Sequence, residues 1–147
     1  MKNLIKNHIE EHIQTISFIN EEMQDEILFF SQTIIRALKE NKTIFWCGNG
    51  GSSSDAQHLA AELIGRFKGD RRALRSISLT ADSSVLTCIA NDYNFENIFS
   101  RQIEALGNKG DVLIGLSTSG KSQNIINALK KAKKMDLTTM GLLGNRG

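Results

Sequence analysis

Two short apolar runs govern what this chain can fold into. Thr43–Cys47 (TIFWC) and Asp111–Leu116 (DVLIGL) are nearly uninterrupted, and each runs into a turn of glycine and hydroxyl residues followed by a helical pattern. A half-exposed strand alternates apolar and polar residues, whereas an unbroken run marks a strand covered on both faces. Strand, turn and helix in succession build βα units, which require a parallel sheet with helices on either side. Ser76–Leu79 and Thr138–Leu143 read as two further strands. Helices are expected over Asp55–Arg66, Ala81–Ala90 and Phe95–Leu106, and from the second turn to Lys134. The fold class expected is α/β, a doubly wound parallel sheet with helices on both faces.

Ahead of the sheet, residues 1–16 place Ile5, Ile9, Ile13 and Ile16 on one helical stripe. Asn20 reads as an N-cap followed by Glu21 and Glu22, and Met23, Ile27, Phe30, Ile34 and Leu38 recur at intervals of three and four. Two N-terminal helices (1–40) would thus precede a core over 41–147, within one domain of 1–147. With 18 Lys+Arg against 16 Asp+Glu, the net charge of +2 is too small to point to nucleic acid or an anionic membrane surface. No apolar run approaches the ~18 residues of a transmembrane helix. The opening MKNLIKNHIEEH lacks the apolar stretch of a signal peptide. A cytoplasmic protein with neither a nucleic-acid nor a membrane partner is expected. Cys47 and Cys88 have no metal or redox spacing and read as reduced, partly buried thiols.

In an open α/β sheet, chemistry collects outside the carboxyl ends of the strands. Both turns stand there: Gly48-Asn49-Gly50-Gly51-Ser52-Ser53-Ser54 and Ser117-Thr118-Ser119-Gly120-Lys121-Ser122. Each combines free backbone N–H groups at a helix start, glycines that admit close approach, and hydroxyl donors, which together suit a phosphate. An ordinary serine N-cap explains either turn alone; two in equivalent positions favour an anion. Nucleotide motifs fit less well. Gly48-x-Gly50-x-x-Ser53 puts serine where the dinucleotide fingerprint has its third glycine or alanine, and no clear acidic residue ends the next strand. Gly115–Ser122 matches GxxxxGK[ST] formally, but the match begins inside the strand and no apolar strand ending in aspartate follows to hold magnesium.

On the helix after the first turn, Asp55, His58 and Glu62 fall at i, i+3 and i+7, one face of a helix. Three readings share that pattern. It is a solvated face with a weak His–Glu pair, a general acid/base in which Glu62 moves a proton, or half of a zinc site built on His58 and Glu62. Spacing does not choose among them.

Longer stretches do. CGNGGSSSDAQHLAAEL at 47–63, GRF at 65–67, IANDYNFENIFSRQIEALG at 89–107 and GDVLIGLSTSGKSQNI at 110–125 resemble the signatures of the phosphoheptose isomerases. These SIS-domain enzymes convert sedoheptulose 7-phosphate into D-glycero-D-manno-heptose 7-phosphate, a precursor for lipopolysaccharide or capsule. The similarity runs from about residue 40 to the end and is weaker over the N-terminal helices. It implies that Asn49, Gly50, Gly51 and Ser52 contact the sugar phosphate and that Ser117, Thr118, Ser119 and Ser122 cradle its phosphate. Asn91 and Asp92 would meet substrate hydroxyls, with Arg66 assisting. Glu62 would act as acid/base, and His58 with Glu62 would form the N-terminal half of a zinc site. Lys121 falls where the family varies. The resemblance also implies a homotetramer, assembled with the N-terminal helices and with sites at subunit interfaces.

In that family the chain continues past the residues matching Gly144–Gly147 for roughly one more strand and a long helix, which completes the sheet. That helix carries a glutamine and a histidine, the other half of the zinc site. On this basis the C-terminal strand and helix are expected to be missing, with phosphate binding surviving better than turnover. The rival reading is a non-catalytic SIS-fold protein that binds the bacterial replication initiator or senses a sugar phosphate. Gly50-Gly51 and Glu62, which an interaction module does not need, weigh against it.

Overall fold

The computed structural model describes residues 1–144; residues 145–147, the end of the expected 1–147 domain, lie outside the described residues. The chain divides into two compact units, Met1–Thr33 and a second from Ile34 onward. The division falls inside the second helix. In the first unit, α1 (Lys2–Ser17) has no buried residue, and Ile5, Ile9, Ile13 and Ile16 are 53–60% exposed. α2 (Glu21–Lys39) starts where the sequence places it. The Asn20 side chain accepts the Met23 N–H at 2.9 Å, and Glu21 and Glu22 sit favourably at the positive end of the helix.

The second unit is a four-stranded sheet of order β2-β1-β3-β4, parallel throughout: β1 Ile44–Gly48, β2 Ser76–Ser78, β3 Val112–Ser117 and β4 Thr138–Leu143. Between them run α3 (Gly51–Ile64), α4 (Ser83–Asp92), a 3-10 turn at Phe95–Asn97, α5 (Ser100–Leu106) and α6 (Gln123–Lys134). Parallel crossovers are right-handed. Since α3 leads from β1 to one edge and α6 from β3 to the other, the two helices cover opposite faces. The α/β class, the parallel sheet and its helical layers agree with the sequence reading.

Every residue of β1 and β3 is buried, which accounts for their unbroken apolar character. Phe45, Cys47 and Leu113 point to one side and pack in a cluster with Phe99, Ile103, Ile125 and Ala128. Alternate positions face the other side, where Ala56 and Ala60 of α3 are buried. Small residues there let the helix axis lie close to the sheet. At the amino end of β3, Asp111 is 3% exposed, and its carboxylate accepts the Thr43 N–H at 2.9 Å and the Asn108 N–H at 2.8 Å.

Three boundaries differ from expectation. α3 begins at Gly51 rather than Asp55 because Gly50, at φ +54°, turns the chain directly into the helix, so Ser52–Ser54 form its first turn. α4 is displaced to Ser83–Asp92 because Asp82 caps it, accepting the Val85 N–H at 3.0 Å. The helix expected over Phe95–Leu106 breaks after the 3-10 turn, where Ile98 and Phe99 drop into the core. Among the described residues no helix is long and apolar enough to cross a membrane.

Candidate functional site

β1 and β3 are neighbours, and the chain leaves them toward opposite edges of the sheet. The crevice at their carboxyl ends is the topological switch point, where ligands of such sheets bind. The β1–β3 register ends at Gly48 opposite Leu116, so the two glycine- and serine-rich turns emerge side by side. Glycine is required in both approaches. A Cβ on Gly48 would stand 2.3 Å from the Ser52 carbonyl oxygen, and one on Gly115 would stand 2.7 Å from Cγ2 of Ile125. These two positions bring the starts of α3 and α6 down onto the sheet.

The N-cap residues make no side-chain capping hydrogen bond, neither Gly50 before α3 nor Ser122 before α6; within the first turn of α6 the Ile125 N–H is taken by Asn124 Oδ1. The remaining leading N–H groups of both helices are the donors an anion would find. Hydroxyls surround the second start. Ser117 Oγ lies 3.2 Å from Ser122 Oγ and 3.5 Å from Ser119 Oγ, and Ser119 Oγ accepts the Lys121 N–H at 3.2 Å. Ser117 is buried, Ser122 half-buried, and Thr118 and Ser119 exposed. Gly120, at φ +64°, closes the turn by donating to the Ser117 carbonyl at 3.3 Å.

One residue here escaped the sequence reading. Asn124, 3% exposed, exchanges two hydrogen bonds with Asn49: Asn49 Nδ2 donates to Asn124 Oδ1 at 2.9 Å and Asn124 Nδ2 to Asn49 Oδ1 at 2.8 Å. Asn124 Oδ1 also accepts the Ile125 N–H at 2.9 Å, which fixes the orientation of the amide. The available signal was a poor helix former among apolar neighbours in the first turn of a helix.

His58 and Glu62 do meet, with Nε2 3.5 Å from Oε1 and side chains 73% and 37% exposed. They do not meet the turns. Glu62 lies eleven residues along α3 from Gly51, about 16 Å at 1.5 Å per residue, toward the amino end of the strands. The first glycine- and serine-rich turn and the predicted acid/base therefore stand at opposite ends of one helix. Arg71, also unforeseen, braces that far end. Its guanidinium donates to the carbonyls of Glu62 at 2.6 Å, Leu63 at 2.9 Å and Arg72 at 3.0 Å.

As metal ligands, His58 and Glu62 are two donors where zinc takes four ligands, at least three of them from protein in catalytic sites. Among the described residues no group of three or more His, Cys, Asp or Glu side chains is placed to hold a metal ion. The pair alone does not make a zinc site.

Asn91 and Asp92 end α4, exposed, with Asn91 Nδ2 donating to Asp92 Oδ1 at 2.9 Å. The 3-10 turn just after them is tied to α6 by Asn127 Nδ2, 3.2 Å from the Glu96 carbonyl oxygen. Arg66 is exposed beyond the end of α3. Of the two thiols expected to be partly buried, Cys47 is fully buried and its pKa is pushed up to about 12 by burial. Cys88 is exposed instead; its hydrogen bond to Asp92, then the Asp92 charge, hold its pKa above the ordinary thiol value. A groove of about 520 Å³ at the β2 edge, lined by Ile77, Val85, Ile89, Arg101 and Leu106 among others, includes none of the predicted site residues.

The SIS domain family model matches residues 7–144. A phosphoheptose isomerase of a Nitratiruptor species is 52% identical over 143 residues, which are 97% of this chain and 76% of the relative. Phosphoheptose isomerase 1 of Campylobacter jejuni is 51% identical over 147 residues, 100% of this chain and 78% of the relative. Among solved structures, the phosphoheptose isomerase of Neisseria gonorrhoeae matches with a TM-score of 0.92 at 38% identity, covering 99% of this chain and 76% of that one.

Proposed function

Because this chain belongs to the SIS domain family, alongside relatives named phosphoheptose isomerase, we propose that it is an aldose–ketose isomerase acting on sedoheptulose 7-phosphate. The observation that carries the reading is a match at 51% identity that takes in all 147 residues of this chain. The product is D-glycero-D-manno-heptose 7-phosphate, a precursor for lipopolysaccharide or capsule.

The geometry supports a division of labour. The paired turns, with the uncapped starts of α3 and α6 and the hydroxyls of Ser117, Thr118, Ser119 and Ser122, take the 7-phosphate, and Asn49, Gly50, Gly51 and Ser52 complete the cradle. Holding the phosphate, remote from the reacting carbons, supplies positioning for the step at C1 and C2. Asn91 and Asp92 meet sugar hydroxyls, with Arg66 assisting. The Glu62 carboxylate removes the proton from C1, next to the C2 carbonyl, leaving an enediolate with its charge on O2; the O1 proton passes to O2, and the Glu62 carboxyl returns its proton to C2 as the C1 aldehyde forms. Proton count and charge are unchanged across the step.

The length of α3 between Gly51 and Glu62 favours a site shared between copies, and a homotetramer is part of the proposal. The exposed isoleucine stripe of α1 supports a role for the N-terminal helices in that assembly. A cytoplasmic location fits a phosphorylated substrate. Zinc would need ligands beyond His58 and Glu62, and none of these steps is assigned to it.

The test is conversion of sedoheptulose 7-phosphate, followed by product formation, with calorimetric binding in parallel. Glu62→Gln is expected to abolish turnover and leave binding within about twofold, a difference below ~0.5 kcal/mol. Turnover near that of the parent sinks the assigned role. Ser119→Ala is expected to weaken phosphosugar binding without affecting the fold, and at low substrate its mixture with Glu62→Gln is expected to turn over faster than Ser119→Ala alone, where one copy supplies Glu62 and another the intact cradle. A mixture no more active than its parts places the whole site in one copy.

A further inference from the structure

The two phosphate-binding turns come from strands 68 residues apart in the chain, and the sheet stops joining them where it is most needed. Ladder pairing between β1 and β3 ends at Gly48 and Leu116; the next residue, Ser117, pairs with β4 instead. Beyond that point, among the described residues, the hydrogen bonds between segments 49–54 and 117–124 are the two exchanged by Asn49 and Asn124.

The pair has the properties of a spacer. It is cyclic, each amide giving one N–H and receiving one, so neither side chain can rotate without losing both bonds. Asn124 is buried, and a buried amide stripped of its partner is costly, which holds the pair closed. Its Oδ1 also takes the Ile125 N–H, a donor that the first turn of α6 would otherwise leave open. Asn124 thereby ties the backbone at the start of α6 to the residue that precedes the Gly50 turn. Burial alone would be served by leucine at 124, and capping alone by serine. Only an amide facing an amide does both and reaches across.

We propose that Asn124 is a positioning residue: through its reciprocal amide pair with Asn49 it sets the distance between the two halves of the phosphate cradle. The inference rests on the cradle assigned under the proposed function. A phosphate held by N–H groups from both helix starts requires those starts at one spacing, and side-chain donors on one half cannot correct an error in the other.

The experiment is a double-mutant cycle on affinity for sedoheptulose 7-phosphate, by calorimetry on the whole chain, with thermal melts to normalise for folded fraction. Asn124→Leu and Asn124→Ser are each expected to weaken binding about tenfold. In an Asn49→Ala background the same substitutions are expected to cost less than about twofold more, because the bridge is already gone. A purely structural role predicts lower melting temperatures with unchanged affinity of the folded protein. That result overturns the inference, as does an additive cycle. Should the leucine variant not fold, the serine variant decides; failure of both to fold assigns Asn124 to the core and also overturns it. No binding by the unaltered chain brings down the cradle itself, and this inference with it.

Discussion

The tightest point of the site is Gly48, where a single added methyl group should be felt in both stability and binding. In Gly48→Ala the new Cβ would sit 2.3 Å from the Ser52 carbonyl oxygen, 2.6 Å from its carbonyl carbon and 2.9 Å from its Cβ. All three atoms belong to the first turn of α3 or are fixed by it, so no flexible side-chain end can yield. Restoring ordinary contact requires a displacement of about 1 Å or more. Overpacking of this kind costs about 1–3 kcal/mol, and at about 3 °C per kcal/mol for a chain of this size the melting temperature falls by about 3–9 °C. The same displacement moves the N–H groups of Gly50, Gly51 and Ser52. Losing one charge-assisted hydrogen bond costs about 1.5–3 kcal/mol, so affinity for sedoheptulose 7-phosphate should fall by about ten- to a hundredfold. Gly51→Ala is the contrast. A Cβ there meets nothing within 4 Å, and the position is helical, so stability should be unchanged or raised by up to ~1 kcal/mol. Thermal melts and calorimetry on the two variants read both quantities. A Gly48→Ala protein that melts and binds like its parent would refute the claim that the turn is seated by contact.

Two further outcomes follow from groups outside the cradle. Alkylation requires the thiolate, and Asp92 holds the Cys88 thiol protonated by accepting its hydrogen bond and by its charge. Asp92→Asn should therefore lower the Cys88 pKa and speed iodoacetamide labelling near pH 8 several-fold by mass spectrometry, while Cys47, buried and pushed up to about 12, stays unlabelled until the chain unfolds; equal Cys88 rates with and without Asp92 contradict this. Asp111→Ala leaves the Thr43 and Asn108 N–H groups without their buried acceptor, a loss of about 2–5 kcal/mol in urea unfolding, and a loss below ~1 kcal/mol would show that water replaces the carboxylate.

What the sequence made legible was local. TIFWC and DVLIGL announced strands because residues buried on both faces leave no polar position in the pattern. The two turns were legible because glycine and serine in succession have few other uses between a strand and a helix. Asn20 declared a cap that the structure contains. What escaped depends on partners distant in the chain. Asn124 is one asparagine until Asn49 stands opposite it, and Arg71 is one of several basic residues until three carbonyls converge on its guanidinium. Helix starts were misjudged for a related reason. The run Gly50–Ser54 has loop composition, and only the positive φ of Gly50 makes it the entry to α3.

The placement of Glu62 combines both kinds of information. Its spacing from His58 was read correctly as one helical face, and the two side chains are in contact. Glu62 follows the first turn closely in sequence, yet a helix converts the eleven residues from Gly51 into about 16 Å of separation. The acid/base role proposed for Glu62, at that distance from the proposed cradle, is served best across an interface, and the helix makes the separation stiff. Ala56 and Ala60 seat α3 on the sheet, Gly48 fixes one end and Arg71 braces the other. With both ends held, the proposed roles make phosphate affinity a report on the carboxyl edge of the sheet within one copy, and turnover a report on how copies are arranged. Dilution that separates copies should then abolish turnover while each chain goes on binding the phosphosugar.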